Sequence, residues 1–361
     1  MAETGLALAQ PTLSVDGEDN LPLSDGLKEL LIVETTEGLY RCEALFVNWG
    51  TRDNMFTPLY FDRATLDFGK SFAVRLAQED DPIFEGRITG LEAFFLEGGS
   101  LNMNVLAEDR LQDLRMTRRT RTFANGDGER ITDAEVFRQI ASEHGLQEAI
   151  DVPEVQHPVL AQVNQSDLAF LRARARALNA EVWVDGDTLH ITGRENRGSP
   201  PPLEMTYQRE LYEFAVLADL AEQRSAVIVS GWDPLNKAKV EYEAAEAAIQ
   251  GELDGGLSGA SILEEKFAAR KETIVRTAPI TQQAAEREAT AYFQAQARRF
   301  VTGTGVSRVN RRLRVGVTVD LKELGPLFSG EYYVTEVRHM FDRQRGIRTE
   351  FYVERPGLGR P

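Results

Sequence analysis

Tyr332-Tyr333-Val334-Thr335-Glu336-Val337-Arg338-His339-Met340-Phe341, then Asp342-Arg343-Gln344-Arg345-Gly346, then Ile347-Arg348-Thr349-Glu350-Phe351-Tyr352-Val353, is the stretch that decides the class of fold. Two runs rich in β-branched and aromatic residues flank a polar segment that ends on glycine, which reads as a long antiparallel hairpin. Just upstream, Leu313, Val315, Val317, Val319 and Leu321 alternate with Arg314, Gly316, Thr318 and Asp320, the period of a half-buried strand.

The first third of the chain rhymes with this tail. Leu66-Asp67-Phe68-Gly69 precedes a strand (Phe72, Val74, Leu76), and Phe84-Glu85-Gly86 opens a long hairpin through Gly98-Gly99 that ends near Asp109. Late in the chain, Leu313-Arg314-Val315-Gly316 precedes a strand, and Phe328-Ser329-Gly330 opens a hairpin that ends near Arg355. The order of elements is the same and the spacing is similar, which reads either as an internal duplication or as a chance recurrence of glycine-bounded hairpins, a common pattern. Leu30-Leu31-Ile32-Val33 and the alternation from Ala44 to Trp49 complete the first β region.

Between the two regions the period changes. Thr132-Asp133-Ala134-Glu135 is a capping box, followed by an apolar stripe at Val136, Phe137 and Ile140 and a stop at His144-Gly145. A second helix starts at Ser166, with Leu168, Leu171, Ala175 and Leu178 on one side and Asn179 at its end. Val182-Trp183-Val184-Asp185-Gly186-Asp187-Thr188-Leu189-His190-Ile191 is a hairpin around Asp-Gly. Pro200-Pro201-Pro202 suits a stiff linker. Residues 242–250, rich in alanine and glutamate, predict an exposed helix, Gly251 to Gly259 a mobile loop, and Thr281 to Phe300 a long helix with Ala285, Ala289, Tyr292, Phe293 and Phe300 on its apolar side. Gly231-Trp232-Asp233-Pro234 reads as a turn.

The expected fold is α+β, mainly β: two β-barrel domains flanking a small α/β module, with a helical insertion in the second barrel. The boundaries read as an N-terminal arm (1–24, with one short strand near Thr12-Val15), a first barrel (25–112), the α/β module (113–200) and a second barrel (201–361) whose helical and loop insertion covers about 242–300.

Charge and composition narrow the function. Acidic residues outnumber basic ones, 57 to 41, for a net charge of -16, which argues against nucleic-acid binding and against adsorption to an anionic membrane. The single cysteine, Cys42, permits no intrachain disulfide and no thiolate metal cluster. Its place in an apolar strand marks it as a small buried residue. The start lacks a basic n-region and no apolar run reaches membrane-spanning length, so the expected location is the cytoplasm until assembly.

The four histidines (His144, His157, His190, His339) form no HExxH or His-x-His pattern, and neither a nucleophile elbow nor a P-loop is present. No motif marks a catalytic carboxylate pair. No catalytic residue, cofactor site or metal site is assigned. Arginine clusters at 115–121, at Arg172, Arg174 and Arg176, and at 308–314 read as faces paired with the chain's own carboxylates, with partner surfaces as the alternative. Candidate interface residues are Trp49, Trp232, Arg118, Arg119, Arg311 and Arg312. Core packing is an equal alternative for the tryptophans.

Taken in order, Asp109-Arg110-Leu111, Arg118-Arg119-Thr120-Arg121-Thr122-Phe123, Asn164-Gln165-Ser166-Asp167-Leu168-Ala169-Phe170-Leu171, Ala180-Glu181-Val182-Trp183-Val184-Asp185-Gly186, Gly231-Trp232-Asp233-Pro234, Phe328 to His339, Arg348-Thr349-Glu350-Phe351 and Arg355-Pro356-Gly357 resemble the phage late control protein D family. That family includes baseplate hubs of contractile tails and the N-terminal part of VgrG spike proteins. The resemblance implies a non-enzymatic homotrimer whose paired barrels make a pseudo-sixfold ring joining a sixfold tail tube to a threefold spike. The implied partners are a separate spike protein of OB-fold and β-helix type, a tail tube or tube-initiator protein, and baseplate wedge proteins. The spike is expected to be separate because the chain stops at Pro361, where VgrG proteins continue. The alternative is a tail-associated protein that binds or cleaves cell wall.

Overall fold

The structure, a computed structural model of the 361-residue chain, describes residues 10–52, 54–76, 81–126, 129–198, 201–234, 236–274, 279 and 281–360. Residues 1–9 of the expected arm and Pro200 of the expected linker lie outside the described residues.

The first β unit contains β1 (Thr12–Val15), β2 (Leu27–Thr35), β3 (Arg41–Val47), β4 (Ser71–Arg75), β5 (Phe84–Phe94) and β6 (Asn102–Glu108). Alternation decides which face is inside. Leu30 and Ile32, Cys42, Ala44 and Phe46, Phe72 and Val74, and Val105 and Ala107 all enter one core. The strand near Thr12-Val15 is more than part of an arm: β1 pairs with β4, and Leu13 is fully buried.

The α/β module contains β7 (Arg118–Phe123), α1 (Asp133–Glu143), β8 (Gln147–Asp151), β9 (Leu160–Ser166), α2 (Asp167–Ala177), β10 (Ala180–Asp185) and β11 (Thr188–Gly193). Thr132 and Glu135 complete the capping box of α1, and Ser166 caps α2. Gly186, at φ +55°, makes the turn of the β10–β11 hairpin, where a β-branched residue would be strained. Both helices pack on this hairpin through a second core that includes Val136, Phe137, Ile140, Leu168, Leu171, Val182 and Leu189.

The second unit contains β12 (Leu203–Thr206), β13 (Leu211–Ala218), an insertion of β14 (Ala226–Asp233), β15 (Ala238–Ala245), α3 (Gly259–Phe267), β16 (Lys271–Ile274) and α4 (Gln282–Ala297), and then β17 (Val301–Arg308), β18 (Thr318–Lys322), β19 (Gly330–Asp342) and β20 (Gly346–Arg355). The insertion has its own sheet, in the order β15-β14-β16. Val227, Val229, Ala285, Ala289 and Phe293 form a separate core between that sheet and α4.

Several local expectations change. Residues 242–245 end strand β15 instead of starting a helix, because pairing with β14 buries Val240 and Ala244 on alternate positions and outweighs the helix propensity of alanine and glutamate. A 3-10 turn follows at Glu246–Glu252, and Gly259 begins helix α3 behind the N-cap Ser258. Trp232 stands in strand β14 opposite Lys239, not in a turn. Tyr292 is exposed on α4, away from its apolar side. The strand expected over 313–321 is confined to Thr318–Lys322, although Leu313 and Val315 are buried.

The mainly β, α+β class holds, but closed barrels are not found among the described strands. A single 13-stranded sheet runs through both units in the order β13-β17-β20-β19-β2-β3-β6-β5-β4-β1, ending on Glu18–Asp19, with β18 on β19 and β12 parallel to β18. The halves join where β19 lies antiparallel to β2, from Glu336 opposite Thr35 to Asp342 opposite Glu29.

The duplication is explicit in the pairing. The order β2-β3-β6-β5-β4 in the first unit is matched by β13-β17-β20-β19-β18 in the second. Irregularities match as well. Lys28 bulges between Leu27 and Glu29, as Tyr212 does between Leu211 and Glu213. Thr89 bulges between Ile88 and Gly90, as Thr335 does between Val334 and Glu336. Two bulges at corresponding places fix the alignment and correct the Phe-x-Gly match by two residues: Gly330 corresponds to Phe84, not to Gly86.

Phe341 belongs by sequence to the second unit, yet it is buried in the core of the first. Phe341→Ala is expected to lower the unfolding free energy by about 3–5 kcal/mol while leaving one cooperative transition in urea. Separate transitions for the two halves would show that the sheet does not couple them.

Candidate functional site

Where the two β units and the module meet, charges that would be costly alone are paired. Arg197, in the chain leaving β11, has a side chain only 2 % exposed. Its Nη1 donates to Glu181 Oε2 (2.6 Å), its Nη2 donates to the Tyr40 hydroxyl (2.6 Å), and its guanidinium lies 4.3 Å from the Trp183 ring. The Tyr333 hydroxyl of β19 donates to the same Glu181 oxygen at 2.7 Å. Glu181 is in the module, Tyr40 in the first unit and Tyr333 in the second, so one guanidinium and one carboxylate hold all three together.

Beside them, buried Glu34 of β2 pairs with Arg314 (2.5 Å) and accepts from the Val315 amide (3.3 Å). Burial pushes the Glu34 carboxyl up, and Arg314 opposes that shift. On the other side, a cleft of about 340 Å³ is lined by Arg194, Arg298, Tyr333 and Glu354 among others. Two of its carboxylates are engaged by arginines, Glu354 by Arg194 (2.8 Å) and Glu252 by Arg298 (2.7 Å), and Glu195 and Glu331 line it as well.

Each of the four histidines has a partner within the chain. His339, in β19, is fully buried with Nδ1 2.9 Å from the Thr349 hydroxyl, and burial holds it down at about 3. His144 and His157 sit on Asp167 (2.9 Å) and Asp133 (2.8 Å), two buried aspartates at the first positions of α2 and α1. Arg121 also binds Asp167 (2.8 Å), and Arg174 binds Asp133 (2.6 Å); desolvation raises both carboxyls, but the hydrogen bonds from His144 and His157, with the help of these arginines, hold them below their ordinary range. His190 stacks on Trp183. Asp109 accepts from the Tyr40 and Leu111 amides (2.7 and 2.9 Å), yet burial raises it to about 7. No cluster of three or more His, Cys, Asp or Glu fit to hold a metal occurs among the described residues. None of the described helices is long and apolar enough to cross a membrane.

The candidate interface residues fall on separate elements. Trp49 follows β3 and Trp232 lies in β14, 48 % and 56 % exposed, so both are surface residues. Arg118 and Arg119 are on β7. Arg118 reaches the Asn164 carbonyl (3.4 Å), and Arg119 pairs with Glu143 (2.7 Å). Arg311 and Arg312 precede β18. Arg311 pairs with Asp81, and Arg312 donates to the Pro201 carbonyl (3.3 Å). Most of the arginine clusters are thus paired inside the chain.

Sequence reasoning missed the Arg197–Glu181–Tyr333 junction because its members are far apart in the chain. It also missed the sheet edges. From Gly90 onward β5 has β6 as its strand partner, and β13 ends the sheet with β17 as its strand partner, among the described residues. Exposed Phe95 and Leu96 continue β5, and exposed Leu217 lies on β13.

The family model for the Alg8 N-terminal domain matches residues 66–342. No curated protein matches. Among solved structures, the chain is similar to the prophage MuSo2 43 kDa tail protein from Shewanella oneidensis (13 % identity, 96 % of this chain and 98 % of that one, TM-score 0.71). It is also similar to a tail protein from Neisseria meningitidis MC58 (14 %, 97 % of each, TM-score 0.69). A third is an Escherichia coli protein described as a type VI secretion system component with structural similarity to the T4 bacteriophage tail proteins gp27 and gp5 (12 %, 97 % of this chain and 79 % of that one, TM-score 0.54). At these identities the likeness is one of fold, and it spans nearly the whole chain.

Arg197→Ala strands the Tyr40 hydroxyl and removes the cation from Glu181. The expected cost is about 3 kcal/mol, read as a lower urea midpoint. His339 gives a pH signature. Its folded value is below the unfolded one, so the unfolded chain binds the extra proton and stability rises with pH between about 3 and 6.5. In His339→Leu that contribution is absent, and the slope of unfolding free energy against pH over this window falls relative to the parent.

Proposed function

The chain belongs to the Alg8 N-terminal domain family, and from its duplicated sheet and its whole-length likeness in fold to tail proteins we propose that it is a structural, non-enzymatic hub subunit at the base of a contractile tail, of a phage or of a phage-tail-like injection system. The proposal includes kinship with the late control protein D and VgrG hubs and assembly as a homotrimer. The trimer holds a separate spike protein on one side and the tail tube or its initiator on the other, with baseplate wedge proteins around it. It is made in the cytoplasm and becomes part of the tail on assembly.

The observation that carries this reading is the duplication. Two units of one strand order and the same two bulges stand side by side in one sheet. Three such chains offer six similar surfaces, which reconciles a sixfold tube with a threefold spike. The whole-length likeness to tail proteins supports the same reading.

Light scattering of the purified chain, alone and with its candidate spike protein, tests this reading. The expected mass is that of a trimer, either alone or once the spike is added. A monomer indifferent to the spike contradicts it, and release of muropeptides from purified cell wall would move the protein to the lytic class.

A further inference from the structure

The junction inside the chain is a template for a junction between chains. In β19 the first four residues pair with β18, and the stretch from Glu336 to Asp342 turns that edge to β2. Its counterpart β5 pairs with β4 through Phe84–Arg87, and from Gly90 onward the same edge has no strand on it among the described residues. The counterpart of β2 is β13, the end strand of the sheet. Each chain therefore holds one satisfied copy of the junction and the two separated halves of a second copy.

We propose that these halves meet between copies: the Gly90–Phe95 edge of one subunit pairs antiparallel with β13 of the next. The inference rests on the reading of the chain as a ring subunit. The bulges set the register. Thr89 corresponds to Thr335 and Lys28 to Tyr212, so the pair Phe341–Leu30 becomes Phe95–Phe214, His339–Ile32 becomes Ala93–Val216, and Val337–Glu34 becomes Leu91–Ala218. On the other face, Arg338–Val33 becomes Glu92–Leu217 and Met340–Leu31 becomes Phe94–Ala215.

Side chains agree with this register. Phe341 is 5 % exposed because it enters the core of the neighbouring unit. Its counterpart Phe95 is 75 % exposed in a single chain. The proposed partners Phe214, Val216 and Ala218 pack, partly buried, against the core of the second unit. Phe95 thus has an apolar place waiting in the next copy, equivalent to the one that Phe341 fills inside the chain. An unpaired edge followed by exposed Phe95 and Leu96 is an aggregation hazard unless something covers it. The contact is heterologous, head to tail, so it forms a ring when its rotation closes.

Paired cysteines test the register. Cys42 is buried, so introduced thiols at exposed positions are the reactive ones. Glu92→Cys with Leu217→Cys places two thiols opposite each other across the proposed contact, whereas Glu92→Cys with Glu213→Cys sets them four residues out of register. Mild oxidation should give a covalent ladder ending at the trimer for the first variant and none for the second. The masses of both variants are measured without oxidation, with the spike protein present if it is needed for assembly. A trimer that cross-links in neither variant, or equally in both, overturns the edge pairing and leaves the ring reading standing. A monomer without cross-links overturns both. Phe95→Asp should weaken self-association at least ~10-fold by placing a charge in an apolar contact, while Phe56→Asp, at an equally exposed phenylalanine off this edge, should not. An unchanged trimer in Phe95→Asp likewise overturns the pairing.

Discussion

The antiparallel pairing of β19 with β2 is the constraint on which the rest of the architecture depends. Seven residue pairs, from Glu336–Thr35 to Asp342–Glu29, turn two β units into one sheet. A strand edge presents donors and acceptors that must be satisfied, and here the last long hairpin of the chain satisfies the first long strand. This closes a loop of about 300 residues, so the N-terminal unit cannot be completed until the C-terminus has been made. Phe341 adds side-chain burial to the backbone pairing by filling the first core from the second unit.

The α/β module and the insertion are attached by other means. The module is fastened by Arg197, Glu181, Tyr333 and Tyr40, a set in which each polar atom is oriented by another, with Trp183 packed under the guanidinium. Such a network is demanding, since a missing member leaves a buried charge or hydroxyl without its partner. It therefore fixes the orientation of a module that has its own core, as the proposed role in a ring would require. The insertion meets the module through Asn179, whose amide reaches Gln294 of α4 (2.9 Å) and whose oxygen accepts from Arg298 (2.9 Å).

Much of the fold was legible because local chemistry decides it. The capping box at Thr132, the Asp185-Gly186 turn and the alternation through Phe72 and Val74 stand where the sequence puts them, since each depends on neighbours within a few residues. Residues 242–245 were misread because strand pairing with β14, a tertiary effect, outweighs local propensity. The two barrels were an overreading of the same kind. Alternation identifies strands but not which edges meet, and the β19–β2 pairing opens both units into one sheet. The duplication was visible as a rhyme of glycines, but its true register depends on bulges at Lys28, Tyr212, Thr89 and Thr335 that leave no mark in composition. The residues of the family resemblance mostly serve the fold. Asp109 holds two amides, Arg355 reaches the carbonyls of Leu327 and Ser329, and Gly231 lies so close to the Pro279 carbonyl that a Cβ there would come within 2.0 Å of it.

Under the proposed pairing, the contact that joins the two halves of the chain is repeated between copies. Hydrogen exchange read strand by strand, at concentrations below and above assembly, tests that claim most directly. The account predicts that amides of Leu27–Thr35 are protected in both states, while the alternate, outward-facing amides of Gly90–Phe94 and Leu211–Ala218, those not bonded to β6 or β17, exchange quickly in the single chain and slow down together on assembly. Assembly that leaves these two edges exchanging at the single-chain rate, or that protects one without the other, would contradict it.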